Sequence, residues 1–152
     1  MCSYTERFVT RNVTTPHPNE LETVAALRLA MRRFLHASDE VTAAHDLTSR
    51  QYDLLALLHR PIPGRAPTPT EIAAELCLSR SATTELLTRA AAAGLVTRAT
   101  DHENGRLKHV TPTAEGTKRF YAAVAELRGE RARLFELLSL AAGLAGALSA
   151  VT

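Results

Sequence analysis

The chain has 152 residues, a formal net charge of +2 and 45% hydrophobic residues, which suits one globular domain or one compact subunit of an oligomer. Charged residues make up 22% and aromatic residues 5%, so wholesale disorder is excluded and a helical core of leucine, valine and alanine is expected. No apolar run is long enough for a membrane span, and the first residues do not resemble a signal peptide. A cytoplasmic protein without a membrane partner is therefore expected.

The first third of the chain predicts an arm and two helices. Residues 1–18 mix polar residues with two prolines and indicate a loose N-terminal arm. Apolar residues then recur at steps of three and four over 19–45, after Asn19 as a suitable N-cap, and predict one long helix. A second helix is predicted over 49–59, and the three prolines of 61–67 end it.

The middle of the chain predicts a winged helix-turn-helix. A capping box at 68–71 begins a short helix, and Ser79 caps a second helix that ends at Gly94. Residues 95–100 and 107–111 favour β-strands and flank an Asn-Gly turn, which is typical of a hairpin. Helix, turn, helix and hairpin in this order indicate a winged helix-turn-helix.

A second long helix is predicted over 113–140, followed by a tail of small residues that predicts a short helix. The predicted fold class is mainly α with a small β-wing: a winged lobe (48–112) is flanked by long N- and C-terminal dimerisation helices (19–47 and 113–152). Long apolar stripes need a partner along their length. The residues expected to mediate dimerisation are Leu27, Phe120, Val124, Leu127, Leu134 and Leu138.

Overall charge does not identify a partner, because the segment 68–113 contains five basic and five acidic residues. The placement of single side chains is more informative. The start of the second helix of such a motif can enter a major groove about 12 Å wide, and small hydroxyl residues there suit close approach to DNA. An arginine at the wing can enter the minor groove. The candidate DNA contacts are Thr68, Thr70, Ser79, Arg80, Ser81, Thr83, Thr84, Arg89, Arg106 and Lys108.

Two of these residues have an alternative structural role. The Ser79 hydroxyl can serve as a helix cap as well as a DNA contact. Arg106 can pair with Asp101 across the hairpin, and that pair could itself orient the guanidinium.

At this point the sequence resembles a known family. Leu76-Cys77-Leu78-Ser79-Arg80-Ser81-Ala82-Thr83-Thr84, followed by Ala93-Gly94-Leu95-Val96-Thr97-Arg98, is similar to the recognition region of the multiple antibiotic resistance regulator (MarR) family. Residues 101–116 resemble that family's wing and the exit from it. The resemblance covers about 19–140. It implies a homodimeric transcriptional regulator on a palindromic operator, often a repressor that an aromatic or phenolic effector releases from DNA.

Three residues depart from the family pattern. Glu85 occupies a position that is often basic or polar, and a carboxylate facing phosphate would weaken binding unless it accepts a hydrogen bond from cytosine. Gly105 stands where a second wing arginine is common. Cys77 lies in the turn, where glycine or a small polar residue is common.

The remaining chemistry of the sequence is sparse. His36 and His45 are candidates for lining an effector pocket. Neither these histidines nor Cys2 and Cys77 show metal-ligand spacing, so no metal and no cofactor is expected. No phosphate loop, nucleophile elbow or other enzyme signature is present. The alternative to a DNA-binding regulator is a winged-helix module that binds only other proteins.

Overall fold

The computed structural model describes residues 18–60, 66–100 and 107–149, with side chains for 19–60, 66–99 and 109–140. The predictions for the N-terminal arm, for Cys2 and for Arg106 lie outside the described residues. Lys108 is described only by its backbone, within a strand.

Six helices and two strands make up the described part of the chain. In order they are α1 (Pro18–Ala44), α2 (Ser49–His59), α3 (Pro69–Glu75), α4 (Arg80–Ala92), β1 (Val96–Thr100), β2 (Leu107–Pro112), α5 (Ala114–Glu126) and α6 (Arg128–Ser149). The fold class predicted from the sequence, mainly α with a small β-wing, is confirmed.

Four of these helices begin at a hydroxyl residue. The side chains of Thr48, Thr68, Ser79 and Thr113 each accept a hydrogen bond from the backbone N–H three residues later. Such a bond satisfies one of the N–H groups that a helix start leaves without a partner, and stabilises the helix by about 1 kcal/mol. The starts of α2 and α3 are full capping boxes, because Gln51 and Glu71 bond back to the cap backbone.

The two strands form an antiparallel hairpin. Val96 pairs with Pro112 and Arg98 pairs with Val110, with an irregularity between Ala99 and Thr100. Gly94, with a φ of 70°, ends α4 and turns the chain into β1, as the sequence predicted.

The core lies in the winged lobe. Leu54 and Leu55 of α2, Ile72 of α3, Leu87 of α4 and Leu95 just before β1 are at most 1% exposed. Burying a leucine or isoleucine contributes about 1.5–3 kcal/mol, so this cluster fixes the positions of the helices around it. Phe120 of α5 belongs to the same cluster, which therefore includes the first of the two C-terminal helices.

The prediction of one helix over 113–140 is wrong, because two helices occupy this part of the chain. Leu127 separates them with a ψ of 2°, and its side chain is 0% exposed. Helix α5 packs on α2 and β2, whereas α6 packs along α1. The chain leaves the lobe at Leu127, and Gly129, two residues later, has a low helix propensity. The small-residue tail is not a separate helix either, since α6 continues to Ser149.

Three of the six residues predicted for dimerisation are used inside the chain. Phe120 and Leu127 are 7% and 0% exposed, and Val124 packs against the lobe core. The prediction that Phe120 and Leu127 face a partner subunit is therefore wrong, because their side chains are already covered. Leu27 and Leu134 are half-buried on α1 and α6, and Leu138 is exposed.

Gly116→Ala tests the joint between the lobe and α5. Gly116 is buried in the first turn of α5, where a Cβ would overlap the Leu95 carbonyl group, with its carbon 2.9 Å away. We expect a loss of about 3 kcal/mol in the free energy of unfolding, because backbone must move. The matched control is Gly129→Ala in α6, where a Cβ meets nothing within 4 Å. It should be neutral or stabilising by up to about 1 kcal/mol in urea unfolding. Equal stability of the two variants would contradict the expectation.

Candidate nucleic-acid interface

The turn between α3 and α4 sets the position of the second helix. Cys77 has a φ of 51°, which is the left-handed region that glycine adopts most easily. This conformation costs a non-glycine residue roughly 1–2 kcal/mol. The Leu78 N–H donates to the Ala73 carbonyl over 2.9 Å and holds the turn closed. Cys77 thus adopts a backbone conformation that glycine usually provides. Its side chain is exposed.

The inner face of α4 anchors the helix in the lobe. Thr83, Leu86, Leu87 and Ala90 are the buried residues of α4, which follows from the 3.6-residue period of a helix. Thr83 is 2% exposed, and its hydroxyl donates to the Ser79 carbonyl over 2.9 Å. The prediction that Thr83 contacts DNA is therefore wrong. Its position in a run of hydroxyl residues concealed that it shares the core face.

The outer face of α4 is exposed and polar. It consists of Arg80, Ser81, Thr84, Glu85, Thr88 and Arg89. The Thr84 hydroxyl donates to the Arg80 carbonyl over 2.9 Å, which fixes its rotamer and leaves the oxygen's lone pairs outward. The outer face therefore presents hydroxyl groups and an arginine from the first turn and a half of the helix.

Ser79 is a cap and remains accessible. Its oxygen accepts from the Ala82 N–H at 3.2 Å and lies 3.0 Å from the Ser81 oxygen. A hydroxyl has one donor and two acceptor sites, so capping does not exhaust it. The cap role is established by this geometry, and a ligand role is compatible with it.

Glu85 and Arg89 form a salt bridge one turn apart on the outer face. Both side chains are more than half exposed, so the pair contributes little to stability. The pair matters for the surface potential, because the Arg89 guanidinium offsets the negative charge of the Glu85 carboxylate on the same helix.

The two threonines of α3 differ. Thr68 is half-buried, and its hydroxyl lies 2.8 Å from the Glu71 Oε2 within the capping box. Thr70 is exposed on the surface of α3. Of the two predicted contacts, Thr70 is the more accessible one.

Arg98 was not among the candidates from the sequence. It is exposed on β1, and its Nη1 donates to the Thr88 Oγ1 over 3.2 Å. This hydrogen bond joins the hairpin to the outer face of α4. No local sequence signal identifies it, because the two residues lie in different elements and meet only in the tertiary structure.

The two histidines predicted for an effector pocket do not meet. His36 lies on an open groove of about 770 Å³ on α1, together with Arg28, Arg32 and Asp39. His45 lies at the end of α1, where its Nε2 is 2.8 Å from the Glu126 Oε2 at the end of α5. Of the two, His36 lines this groove, whereas His45 is engaged with Glu126.

An aromatic cluster joins α2 to α5. The His59 ring stacks on Phe120 with ring centres 5.0 Å apart, and Tyr52 and Tyr121 flank them. Burial lowers the pKa of His59 below its usual value, which favours the neutral form of the ring. The cluster makes α5 part of the lobe.

The residues that the structure describes contain no group of three or more His, Cys, Asp or Glu side chains placed to bind a metal ion. None of the helices within them is long and apolar enough to cross a membrane.

The sequence of the winged lobe matches a known family. Residues 45–107 match the model described as the MarR family, a segment that includes α2, α3, α4 and β1. The match confirms the resemblance to the MarR family. Searching curated proteins produced no match.

Several solved structures have the same fold over most of the chain. AbsC, a MarR family transcriptional regulator from Streptomyces coelicolor, aligns at a TM-score of 0.67 with 21% identity, covering 93% of this chain and 95% of its own. A mutant of MepR from Staphylococcus aureus, solved with an oligodeoxyribonucleotide, aligns at 0.59 with 21% identity over 82% and 94%. CouR from Rhodococcus jostii, bound to p-coumaroyl-CoA, aligns at 0.62 with 23% identity over 82% and 87%. At these identities the likeness concerns the fold.

Ser79→Ala and Ser81→Ala separate the cap from its neighbour. Ser79→Ala removes the acceptor for the Ala82 N–H, and we expect a loss of about 1 kcal/mol in the free energy of unfolding. Ser81→Ala, two residues later and exposed, should change this free energy by less than about 0.5 kcal/mol. Urea unfolding measures both. If the two variants lose equal stability, Ser79 is not the cap.

Proposed function

We propose that this protein is a sequence-specific DNA-binding transcriptional regulator in which α4 enters the major groove. The observation that carries the proposal is the division of α4 into two faces. Thr83, Leu86 and Leu87 lock one face into the core, while Arg80 and Ser81 stand exposed at the start of the other. A rigid helix with a small polar leading end is the form that major-groove readers use.

The start of α4 suits a phosphate group electrostatically. Its first backbone N–H groups and the positive end of the helix dipole favour an anion, and Ser79 and Ser81 add hydroxyl donors. The Arg80 guanidinium can bind guanine O6 and N7 in two parallel hydrogen bonds. The MepR mutant, solved with an oligodeoxyribonucleotide, supports this use of the fold.

We propose further that the protein acts as a homodimer on a palindromic operator. Large apolar side chains stand exposed on α1 and α6, which a monomer in water would not favour. They are Leu21, Val24, Leu29, Met31 and Leu35 on α1, and Phe135, Leu137, Leu138 and Leu140 on α6. Two-fold pairing of this surface would present two copies of α4 to two half-sites of DNA.

We propose further that the protein is a repressor and that a small aromatic or phenolic effector releases it from DNA. The groove on α1 places the cations of Arg28 and Arg32 beside Leu29, Met31 and Leu35, a lining that suits an aromatic carboxylate. These three apolar residues also belong to the proposed dimer surface, so an effector bound there would lie against the partner subunit. CouR, which binds p-coumaroyl-CoA in its solved structure, supports an effector of this kind. Addition of aromatic carboxylates to the protein–DNA complex, followed by fluorescence anisotropy, tests the release.

Arg80→Ala tests the recognition helix. The wild-type protein first selects duplexes from a random DNA library, and anisotropy then measures binding at fixed salt. We expect Arg80→Ala to weaken binding by about 1–3 kcal/mol without loss of folding. Arg106→Ala at the wing should have an effect of similar size, on the evidence of its sequence position. The matched control is Arg128→Ala, which removes an exposed arginine from α6. Helix α6 packs on α1 and α5.

The same experiment distinguishes DNA binding from the alternative function. A winged-helix module that binds only proteins would enrich no duplex and show no salt-dependent binding. That result would overturn the DNA-binding proposal. An Arg80→Ala variant that binds as tightly as the wild type would instead place DNA on another surface.

Phe135→Glu tests the homodimer. Phe135 is 65% exposed on α6, and a carboxylate at this position would be buried without a partner in a dimer. We expect the dissociation constant of the dimer to rise by at least about tenfold. Ala125→Glu adds the same charge on α5 and should leave the dimer intact. Sedimentation equilibrium measures both variants, and a Phe135→Glu protein with an unchanged dimer constant would exclude this surface.

A further inference from the structure

We infer that Arg98 is a DNA-backbone contact, held by Thr88 between the recognition helix and the wing. The inference rests on the proposed DNA-binding function and extends its contact set beyond the start of α4. Neither its position in the strand nor its spacing from other residues suggested this role.

The hydrogen bond that positions Arg98 depends on the hairpin register. Arg98 pairs with Val110, which is 0% exposed, so the two side chains leave the sheet on the face that packs against the helices. A long side chain on that face reaches α4, where the Arg98 Nη1 donates to the exposed Thr88 hydroxyl over 3.2 Å. The guanidinium therefore lies at the surface but beside the outer face of α4.

Thr88 places Arg98 at the opposite end of the recognition helix from Arg80. Eight residues separate Thr88 from Arg80, which corresponds to about 12 Å along the helix axis. When the start of α4 reads base edges near the floor of the groove, its second half passes the groove wall, which consists of phosphates. A cation at this end contacts the backbone and fixes the register of the helix rather than the sequence.

The electrostatics of α4 call for a cation at this end. The second half of the helix carries the negative end of the helix dipole, which disfavours a phosphate. Arg89 lies there, but the Glu85 carboxylate binds its guanidinium. Arg98 brings a positive charge from another element. The bond to Thr88 uses one of five N–H donors of a guanidinium, and a phosphate takes two in the usual bidentate geometry.

Salt titration of three variants tests the inference. The probe is a fluorescein-labelled duplex of random sequence, because backbone contacts do not require an operator. Arg98→Ala should weaken binding by about tenfold and reduce the slope of log affinity against log salt by about 1 for each bound subunit. Arg98→Lys keeps the charge and should keep the slope. Thr88→Val should keep the slope and weaken binding by about threefold, because the guanidinium loses its anchor.

A double variant tests the coupling between the two residues. Thr88→Val should have no further effect on a protein that already carries Arg98→Ala, because its only expected action is through that side chain. Arg128→Ala is the matched control for the loss of one exposed positive charge, and its slope should equal that of the wild type. If Arg98→Ala fails to fold, Arg98→Gln replaces it with a neutral donor of similar reach and carries the same expectation for the slope.

The outcomes separate this inference from the proposed function. A wild-type protein that binds DNA while Arg98→Ala keeps the wild-type slope and affinity would overturn the contact and leave the proposed function intact. A purely structural Arg98 would lower the thermal unfolding midpoint without changing the slope, and would also overturn it. A wild-type protein that binds neither the random duplex nor a selected one would overturn both.

Discussion

The junction between Leu95 and the first turn of α5 is the constraint on which the rest of the structure depends. The Leu95 N–H donates to Ala90 at the end of α4, its carbonyl accepts from the Thr113 N–H over 3.0 Å, and its side chain is 0% exposed. The Thr113 hydroxyl donates to the Gly94 carbonyl over 2.6 Å, and the bare backbone of Gly116 lies against Leu95. One residue thus connects α4, the hairpin and α5, the helix that leads out of the lobe. Little freedom remains there, because every group that could shift is already hydrogen-bonded or buried.

Helix α5 transmits this constraint to the helical part of the molecule. The aromatic cluster of Tyr52, His59 and Phe120 fixes one side of α5 to α2. The Arg119 guanidinium donates to the Asp46 carbonyl and His45 contacts Glu126, so the corner between α1 and α2 is tied to α5 as well. A change in how α1 and α6 pack would therefore reach α4 through α5 and Leu95, which are contiguous elements with defined contacts.

The sequence predicted what local signals determine. Hydroxyl caps, the glycine after α4 and the apolar periods located α1 to α4 and both strands within one or two residues, because each signal acts within one turn of chain. Tertiary packing determined what it did not predict. Thr83 is buried because its helix happens to face the core there, and the helix after Thr113 breaks at Leu127 because the chain must leave the lobe. The bond between Thr88 and Arg98 depends on strand register, which no helical period contains.

The identity of the helix caps has an electrostatic consequence. Helices α3 and α5 carry an acidic residue in their first turn, Glu71 and Glu115, whereas α4 carries none and is capped by an uncharged serine. An aspartate at the same position would cap the helix equally well, but its negative charge would cancel the positive potential of the exposed N–H groups. Of the two helix starts in the helix-turn-helix, α3 has an acidic residue in its first turn and α4 has none, which is also true of α2. The start of α4 is therefore stabilised by a means that does not repel an anion.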